Sequence, residues 1–426
     1  MELAILFGCF VVLLALGVPV AFCLGLSALA TLLYLDIPLI VAFQRMAAGI
    51  DVFALLAIPF FIFAGELMNQ SGIAAKLVRL AESMLGRARG GLGQVSVLSC
   101  MMFGAVSGSA VASVSAMGSA LTPIMREKGY NADFAVNVTA AGSVTGLLIP
   151  PSHNLIIYSI AAGGSVSIVS LFLAGILPGV LLGLALMAAT WLVAARRGYP
   201  SGAFPGWRSL LVALMHAAPG LLSAVIIVGG ILSGVFTATE SSAIAVVYTV
   251  FVAMFVYRSL NWTKFATATL NAARTTAIVM LIIATASAFG WLMAVAEVPL
   301  RISKVLLGIS DNPLVLLLII NLILLMLGTF MDMAPLIIIT TPIFLPVAAQ
   351  LGMDPVQFGV VMILNLGIGL VTPPVGAVLF VGCAVGGIAI EKSLRSIWPF
   401  YCAMLLVLLL VTAIPSISLA LPGLFD

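Results

Sequence analysis

Eleven apolar runs, joined by loops too short to fold on their own, set the first limit on this chain. They fall at 3–33, 53–70, 94–122, 131–162, 167–195, 217–236, 239–257, 268–297, 313–347, 355–388 and 397–422. A helix needs about 20 apolar residues to cross the hydrocarbon core of a bilayer. Only 7% of the 426 residues are charged and 63% are hydrophobic, whereas a soluble domain carries about 25% charged residues. The chain is therefore predicted to be an all-α polytopic membrane protein. Its first run is too long for a signal peptide and lacks a basic leader, so it is expected to stay as a first helix. A net charge of +3 without a basic tract leaves nucleic acid out and membrane lipid as the main surroundings. The five cysteines, Cys9, Cys23, Cys100, Cys383 and Cys402, form no CxxC pair, so neither a metal nor a disulfide framework is expected.

Basic residues mark the sides of the membrane, since Lys and Arg gather in cytoplasmic loops. Lys76, Arg79, Arg87 and Arg89 precede the run 94–122, and Arg126 with Lys128 follows it. A run with both ends on one side must turn back within the membrane. Its middle, "GAVSGSAVASVS", is built of small residues that allow a turn. This predicts a re-entrant helical hairpin over 94–122. The run 313–347 has no Lys or Arg at either flank, "GISDNP" or "AAQLGMDP", and carries "GTFMDMAP" at its middle. It predicts a second hairpin, entering from the opposite face.

The two hairpins belong to a repeat. Pro123 matches Pro346, Gly129 matches Gly352, Gly146 matches Gly369, and Pro150-Pro151 matches Pro373-Pro374, all at one constant offset without a gap. The same register sets Ser109 opposite Asp332. Opposite charge flanks make the repeat inverted. The expected organisation is a first repeat over 1–200 with hairpin 94–122 and broken helix 131–162, then a linking helix in 201–236. A second repeat over 237–426 holds hairpin 313–347 and broken helix 355–388. Inverted repeats with interrupted helices mark secondary transporters, which place substrate and ion near the midplane at the breaks.

The proline doublets give that place its chemistry. Proline lacks an N–H and clashes with the preceding turn, so two in a row free carbonyls that are costly to leave bare in hydrocarbon. Those carbonyls can serve as ligands to Na+. Gly146 and Gly369, one shortly before each doublet, are expected to lend the backbone angles that other residues avoid. Each half-helix that starts after a break presents free N–H groups and the positive end of its dipole, which suits a carboxylate. Mere kinking is the plainer reading of each doublet, and the repeat favours function over it. Ser107-Gly108-Ser109 can be a packing seam of small residues or a ligand tip. Asp332 is a charge at mid-membrane, which costs about 2.5–3.5 kcal/mol on insertion scales, and it is read as a cation ligand. His153 and Asn154 follow the first doublet where Gly376 and Ala377 follow the second, so this polar pair is a candidate for substrate contact. His153 serves equally well as a structural histidine. Glu66 and Glu240 are read as structural, Glu240 as a helix cap with Thr237 and Thr239. Arg301 and Lys304 form an outer basic pair, suited to an interfacial arm or a partner contact.

At these residues the chain resembles a known family. "LLAIPFFIFAGELMNQSGIA", "GAVSGSAVASVSAMGS", "LIPPSHNLIIYS", "GVFTATESSA" and "GLVTPPVGAVLFV" look like the large membrane subunit of tripartite ATP-independent periplasmic (TRAP) transporters, along essentially the whole chain. The resemblance implies an elevator-type transporter of the bacterial inner membrane, driven by a sodium gradient and using no organic cofactor. It implies two partners, a small four-helix membrane subunit and a soluble periplasmic substrate-binding protein. Substrates of such systems are small organic anions: C4-dicarboxylates, sialic acid or keto acids. Carried over by position, one sodium site uses Ser107, Gly108 and Ser109 with the carbonyls around Gly146, Ile149 and Pro150. The other uses Asp332 with Gly369, Thr372 and Pro373. The substrate side falls to Ser109, Pro151, Ser152, His153, Asn154 and Pro374. Ser113 stands where many relatives are expected to carry an acidic residue.

A stand-alone sodium–dicarboxylate symporter of related inverted-hairpin architecture is the nearest alternative; need for a binding protein separates the two. An enzyme is disfavoured, because two histidines, His153 and His216, without paired carboxylates or HExxH make no acid–base or metal site. A channel fits less well, since hairpins from opposite faces suit alternating access.

Overall fold

A computed structural model describes residues 1–201, 205–310 and 312–425. The fold is all-helical. The first part contains α1 (Glu2–Ala15), α2 (Val20–Tyr34), α3 (Ile40–Ile50), α4 (Ala57–Gln70), α5 (Ile73–Leu85), α6 (Gly91–Ser107), α7 (Ala110–Glu127), α8 (Ala132–Ser143), α9 (His153–Ala161) and α10 (Ile168–Arg197). Next come α11 (Trp207–Leu232), α12 (Ala238–Phe251), α13 (Trp262–Val295) and α14 (Val298–Leu307). The remainder is α15 (Pro313–Phe330), α16 (Met333–Gln350), α17 (Pro355–Gly369), α18 (Ala377–Gly386), α19 (Ile390–Leu394), α20 (Trp398–Ala413) and α21 (Pro415–Leu419). Among the described residues, seven helices are long and apolar enough to cross a membrane.

Both hairpins and both broken helices are present. The first hairpin is α6 and α7, turning at Gly108, whose φ of 64° is left-handed. The second is α15 and α16, turning at Met331-Asp332. Helix α8 runs through a short 3₁₀ turn, Val144–Leu147, and breaks before α9. Helix α17 breaks before α18. The register read from the prolines holds for the helices themselves: Ser107 and Phe330, Ala110 and Met333, Glu127 and Gln350, and Ala132 and Pro355 are boundary pairs at the same offset as the doublets. Pro150-Pro151 and Pro373-Pro374 are both cis.

Two expectations are corrected. The run 3–33 is not one helix. It divides into α1 and α2 at Gly17, with φ 78°, and at Pro19, which caps α2; the two helices pack against each other. The second correction concerns Gly146 and Gly369, neither of which has a positive φ. Their role is steric. A Cβ on Gly146 would lie 2.4 Å from Gly104 Cα, and one on Gly369 would lie 2.6 Å from the Gly328 carbonyl carbon. In each half the first leg of the hairpin crosses the broken helix glycine on glycine. The linking helix expected in 201–236 is α11; residues 202–204 of that stretch, and Asp311 in the flank of the second hairpin, lie outside the described residues.

Polar ties hold the helices together, within each half and between the halves, where lipid offers no hydrogen bonds. Asn137 on α8 donates to the Ser393 carbonyl and to Ser396 Oγ, both at 2.9 Å. Arg126 donates to the Gly386 carbonyl. Asn365 on α17 donates to Asn321 Oδ1 at 2.7 Å, and Asn321 donates to Thr412 at 3.1 Å. Such bonds in membranes are each worth about 0.6–2 kcal/mol. At the first repeat's end Arg197 grips Asp133 with two bonds of 3.0 and 3.3 Å. Thr237 and Glu240 form the capping box at the start of α12, while Thr239 takes no part in the cap. Arg301 on α14 lies 3.9 Å from Glu2.

Two measurements test this arrangement. Gly146→Ala should lower the melting stability by about 1–3 kcal/mol, the usual cost of overpacking, while Gly229→Ala, with nothing within 4 Å of its Cβ, should stay near wild type; equal stability of the two would remove the steric role. In a background without native cysteines, Ala88→Cys and Glu127→Cys should label from the cytoplasm, and Ser310→Cys and Gln350→Cys from the periplasm. One face for all four would refute the inversion.

Candidate functional site

Each hairpin tip sits on the break of its own half's broken helix. At the first tip, a Cβ on Gly108 would lie 3.1 Å from the Pro151 carbonyl oxygen and 3.2 Å from His153 Nδ1, so only glycine fits. Ser109 caps α7, its Oγ accepting the Ala112 N–H at 3.3 Å, and the Ser109 N–H donates to Ser107 Oγ at 3.4 Å. At the second tip the Thr329 carbonyl accepts the N–H groups of Val375 and Gly376, at 3.1 and 3.3 Å. Asp332 caps α16 by position, without a side-chain cap bond.

The breaks leave backbone oxygens open. Among the described residues, the carbonyls of Leu148, Ile149, Pro150 and Pro151 accept no hydrogen bond, and neither do those of Thr372, Pro373 and Pro374. The flanking carbonyls are satisfied: Thr145 by the Leu148 and Ile149 N–H groups, Leu370 by those of Val378 and Leu379, and Val371 by the Tyr401 hydroxyl at 2.6 Å. Ser152 Oγ is buried and has no partner among the described residues.

A cavity of about 420 Å³ joins the two tips. Ser107, Ser109, His153, Asn154 and Asp332 line it together, although they come from opposite halves of the chain. The first residues of three helices face into it: Ala110 and Val111 of α7, His153 and Asn154 of α9, and Met333 and Ala334 of α16. Helix N-termini carry unpaired N–H groups and about half a positive charge each. The opposite wall is Ile62, Gly65, Glu66 and Asn69 of α4 and Thr275 and Val279 of α13. Gly65 touches the first tip: its Cβ would come 3.0 Å from the Ser107 carbonyl oxygen. Among the described residues, no Lys or Arg lines the cavity and Asp332 has no ion pair.

The remaining sequence candidates lie off this cavity. Gly108 packs inside the first tip; Gly146 and Gly369 form the glycine crossings. Ile149, Pro150, Pro151, Thr372, Pro373 and Pro374 form the breaks and are not among the residues that line the cavity. Pro151, Ser152 and Pro374, assigned to the substrate side, do not reach the cavity: the chain turns there, so Ser152 is enclosed and Pro374 faces outward. Sequence reasoning passed over Asn69, Ser115 and Thr275 and read Glu66 as structural, whereas all four line the cavity. Glu66 and Asn69, three apart on one face of an apolar helix, were the available signal.

Comparison with known proteins identifies the family. The family described as "Tripartite ATP-independent periplasmic transporter, DctM component" matches residues 7–417. The chain is 46% identical to Uncharacterized protein YgiK of Salmonella typhimurium over 424 residues, 99% of this chain and 97% of that one. It is 41% identical to the sialic acid TRAP transporter large permease protein SiaM of Vibrio cholerae, over 97% of this chain and 96% of the relative. In fold it is similar to the crystal structure of the Alcanivorax borkumensis YdaH transporter, with TM-score 0.60 at 14% identity over 87% of each chain. The chain belongs to the DctM family, the large permease component of TRAP transporters, and is a multi-pass protein of the inner membrane.

Proposed function

We propose that this permease carries a small organic anion inward with Na+ as coupling ion, by moving its hairpins and broken helices as one body past a scaffold that includes α4 and α13. One observation carries the reading. The cavity between the tips is lined by three helix N-termini and by the carboxylates Asp332 and Glu66, with no cationic side chain among the described residues, and Leu147 and Leu370 of its lining lie just before the breaks with their open carbonyls. The helix ends attract an anion. Asp332 and the carbonyls attract a hard cation, which oxygen ligands favour. Binding the cation offsets the carboxylate's charge and so favours the anion, and the coupling is reciprocal by linkage. His153 and Asn154 are the polar side chains that read the substrate. The sialic acid relative's name supports a carboxylate as its class.

The cavity lies toward the cytoplasmic half of the scaffold. Glu66 and Asn69 come from the end of α4 that leads to Lys76, and Thr275 adjoins Arg274. About 18 Å further along α13, by helix rise, Ser287 and Gly290 border a second, smaller cavity beside Ala161 of α9 and Pro342 of α16. That apolar seam, with Leu55, Ile157 and Ile283 also in its lining, carries among the described residues no hydrogen bonds across it to break when one body slides past another. A small four-helix membrane subunit and a periplasmic binding protein complete the proposed system. The alternative, a stand-alone sodium symporter, needs neither.

Uptake by proteoliposomes holding the chain with its small subunit and binding protein tests the proposal. Uptake should require a sodium gradient and no ATP; full uptake without sodium would overturn the coupling, and full uptake without any binding protein would favour the stand-alone alternative. Asp332→Asn should weaken apparent sodium affinity by about tenfold or more, equivalent to about 1.4 kcal/mol, in folded protein. Replacing Pro150-Pro151 or Pro373-Pro374 with Ala-Ala restores two N–H donors and lets the helix reclaim its carbonyls. Sodium affinity should then fall by more than protein abundance does. Asn154→Ala should instead weaken substrate affinity and leave the sodium requirement nearly unchanged. Normal sodium affinity in the Ala-Ala variants would reduce the doublets to kinks.

A further inference from the structure

A separate cavity of about 600 Å³ opens among the cytoplasmic ends of the helices, away from the transport site. Its charged wall is Lys76, Arg79 and Glu82 of α5 together with Lys128 at the base of the first hairpin. Three cations against one carboxylate leave it positive by two charges. Lys128 and Glu82 stand 3.9 Å apart and are both largely solvated, a separation at which an exposed pair is worth little. The Arg79 guanidinium has no hydrogen-bond or ion-pair partner among the described residues. Lys76 Nζ lies 3.1 Å from the centre of the Tyr257 ring. Burial, and then the neighbouring charge of Arg79, hold the Lys76 pKa below the usual lysine range; an anion placed between the two would offset their repulsion.

The rest of the cavity is mixed: Leu92 and, on α11, Val212 and Ala213 give it an apolar face, beside Ser83, Tyr130, Ser209 and His216. Next to them on α11, Leu211, Leu214 and Met215 are exposed, at 59%, 44% and 73%, and Trp207 is exposed at the helix start. Exposed apolar side chains on a membrane helix suit acyl chains, and tryptophan favours the headgroup level. The cavity thus offers phosphate-binding charge at one end and a lipid-facing surface at the other.

We propose that this cavity binds the headgroup of an anionic phospholipid from the cytoplasmic leaflet, with its phosphate held by Arg79, Lys76 and Lys128 and its acyl chains along α11. A bound lipid there bridges the base of the first hairpin and α11. A free phosphate shares the headgroup's chemistry but uses none of the apolar wall.

The test uses the full-length chain in detergent and three probes: dioctanoyl phosphatidylglycerol, dioctanoyl phosphatidylcholine and glycerol 3-phosphate. Phosphatidylglycerol should raise the melting temperature saturably; the other two at equal concentration should not. Arg79→Gln should weaken its apparent affinity about fivefold, the effect of one basic residue at an anionic lipid surface. Glu82→Gln should strengthen it, which no general loss of folding could produce. Equal shifts from phosphatidylcholine would overturn the proposal by showing a response to any lipid. A matching shift from glycerol 3-phosphate would overturn it in favour of a free-anion pocket. Wild-type affinity in both variants would show that the basic wall does not bind the headgroup.

Discussion

Backbone that leaves the helix inside a membrane has to be covered by protein or by water, because lipid offers it no hydrogen bonds. The two broken helices meet that constraint by the same device. A hairpin lies across each break, close enough that Gly104, Gly146 and Gly369 have no room for a Cβ, while one on Gly328 would meet Gly369 Cα at 3.3 Å. In the second half the cover is also bonded, with the Thr329 carbonyl holding the two N–H groups after the doublet. What remains unbonded is a short run of carbonyls at each break. The hairpins cross both breaks, and Leu147 and Leu370 beside them line one cavity.

The electrostatics of that cavity are those of a shared occupant. Three helix N-termini supply its positive potential through fixed dipoles rather than through Lys or Arg, against the carboxylates of Asp332 and Glu66. A lysine or arginine there would hold an anion whether or not a cation was present, and would remove the dependence of one on the other. Dipoles alone hold an anion less firmly. Asp332, exposed to the cavity and without an ion pair among the described residues, opposes the anion until a cation offsets it. On the proposed reading this opposition is what couples the two.

Much of the fold was legible because the constraint repeats. Prolines and glycines recurring at one offset located both hairpins, both breaks and the register of their helix boundaries. Charge flanks could be read because loops are short. The site was half legible. Asp332, Ser109, His153 and Asn154 stood out as polar residues in apolar surroundings, and the structure brings them to one cavity. The facing wall was not legible, since Asn69 and Thr275 reach the cavity only through the packing of α4 and α13 against the tips, and no spacing in one sequence reports which helices face each other. The steric role of Gly146 and Gly369 was hidden for the same reason: a glycine required by a neighbour looks, in sequence, like a glycine required by its own backbone.

The two halves share backbone geometry and differ in side chains. Breaks, doublets and crossings recur, so the capacity to present carbonyls is doubled. Ser109 faces Asp332 in the repeat, and His153-Asn154 faces Gly376-Ala377. At the tips and breaks the carboxylate, Asp332, belongs to the second half and the polar pair to the first; the cavity's other carboxylate, Glu66, comes from the facing wall. A carboxylate at Ser109 as well would add a third negative charge beside Asp332 and Glu66, and like charges in one site disfavour each other's ionisation. A symmetric pair of polar turns would leave hydrogen-bonding groups without partners once a small substrate was bound. Division of the two roles between the halves avoids both costs, while the inverted backbone still brings Asp332, His153 and Asn154 to the same cavity.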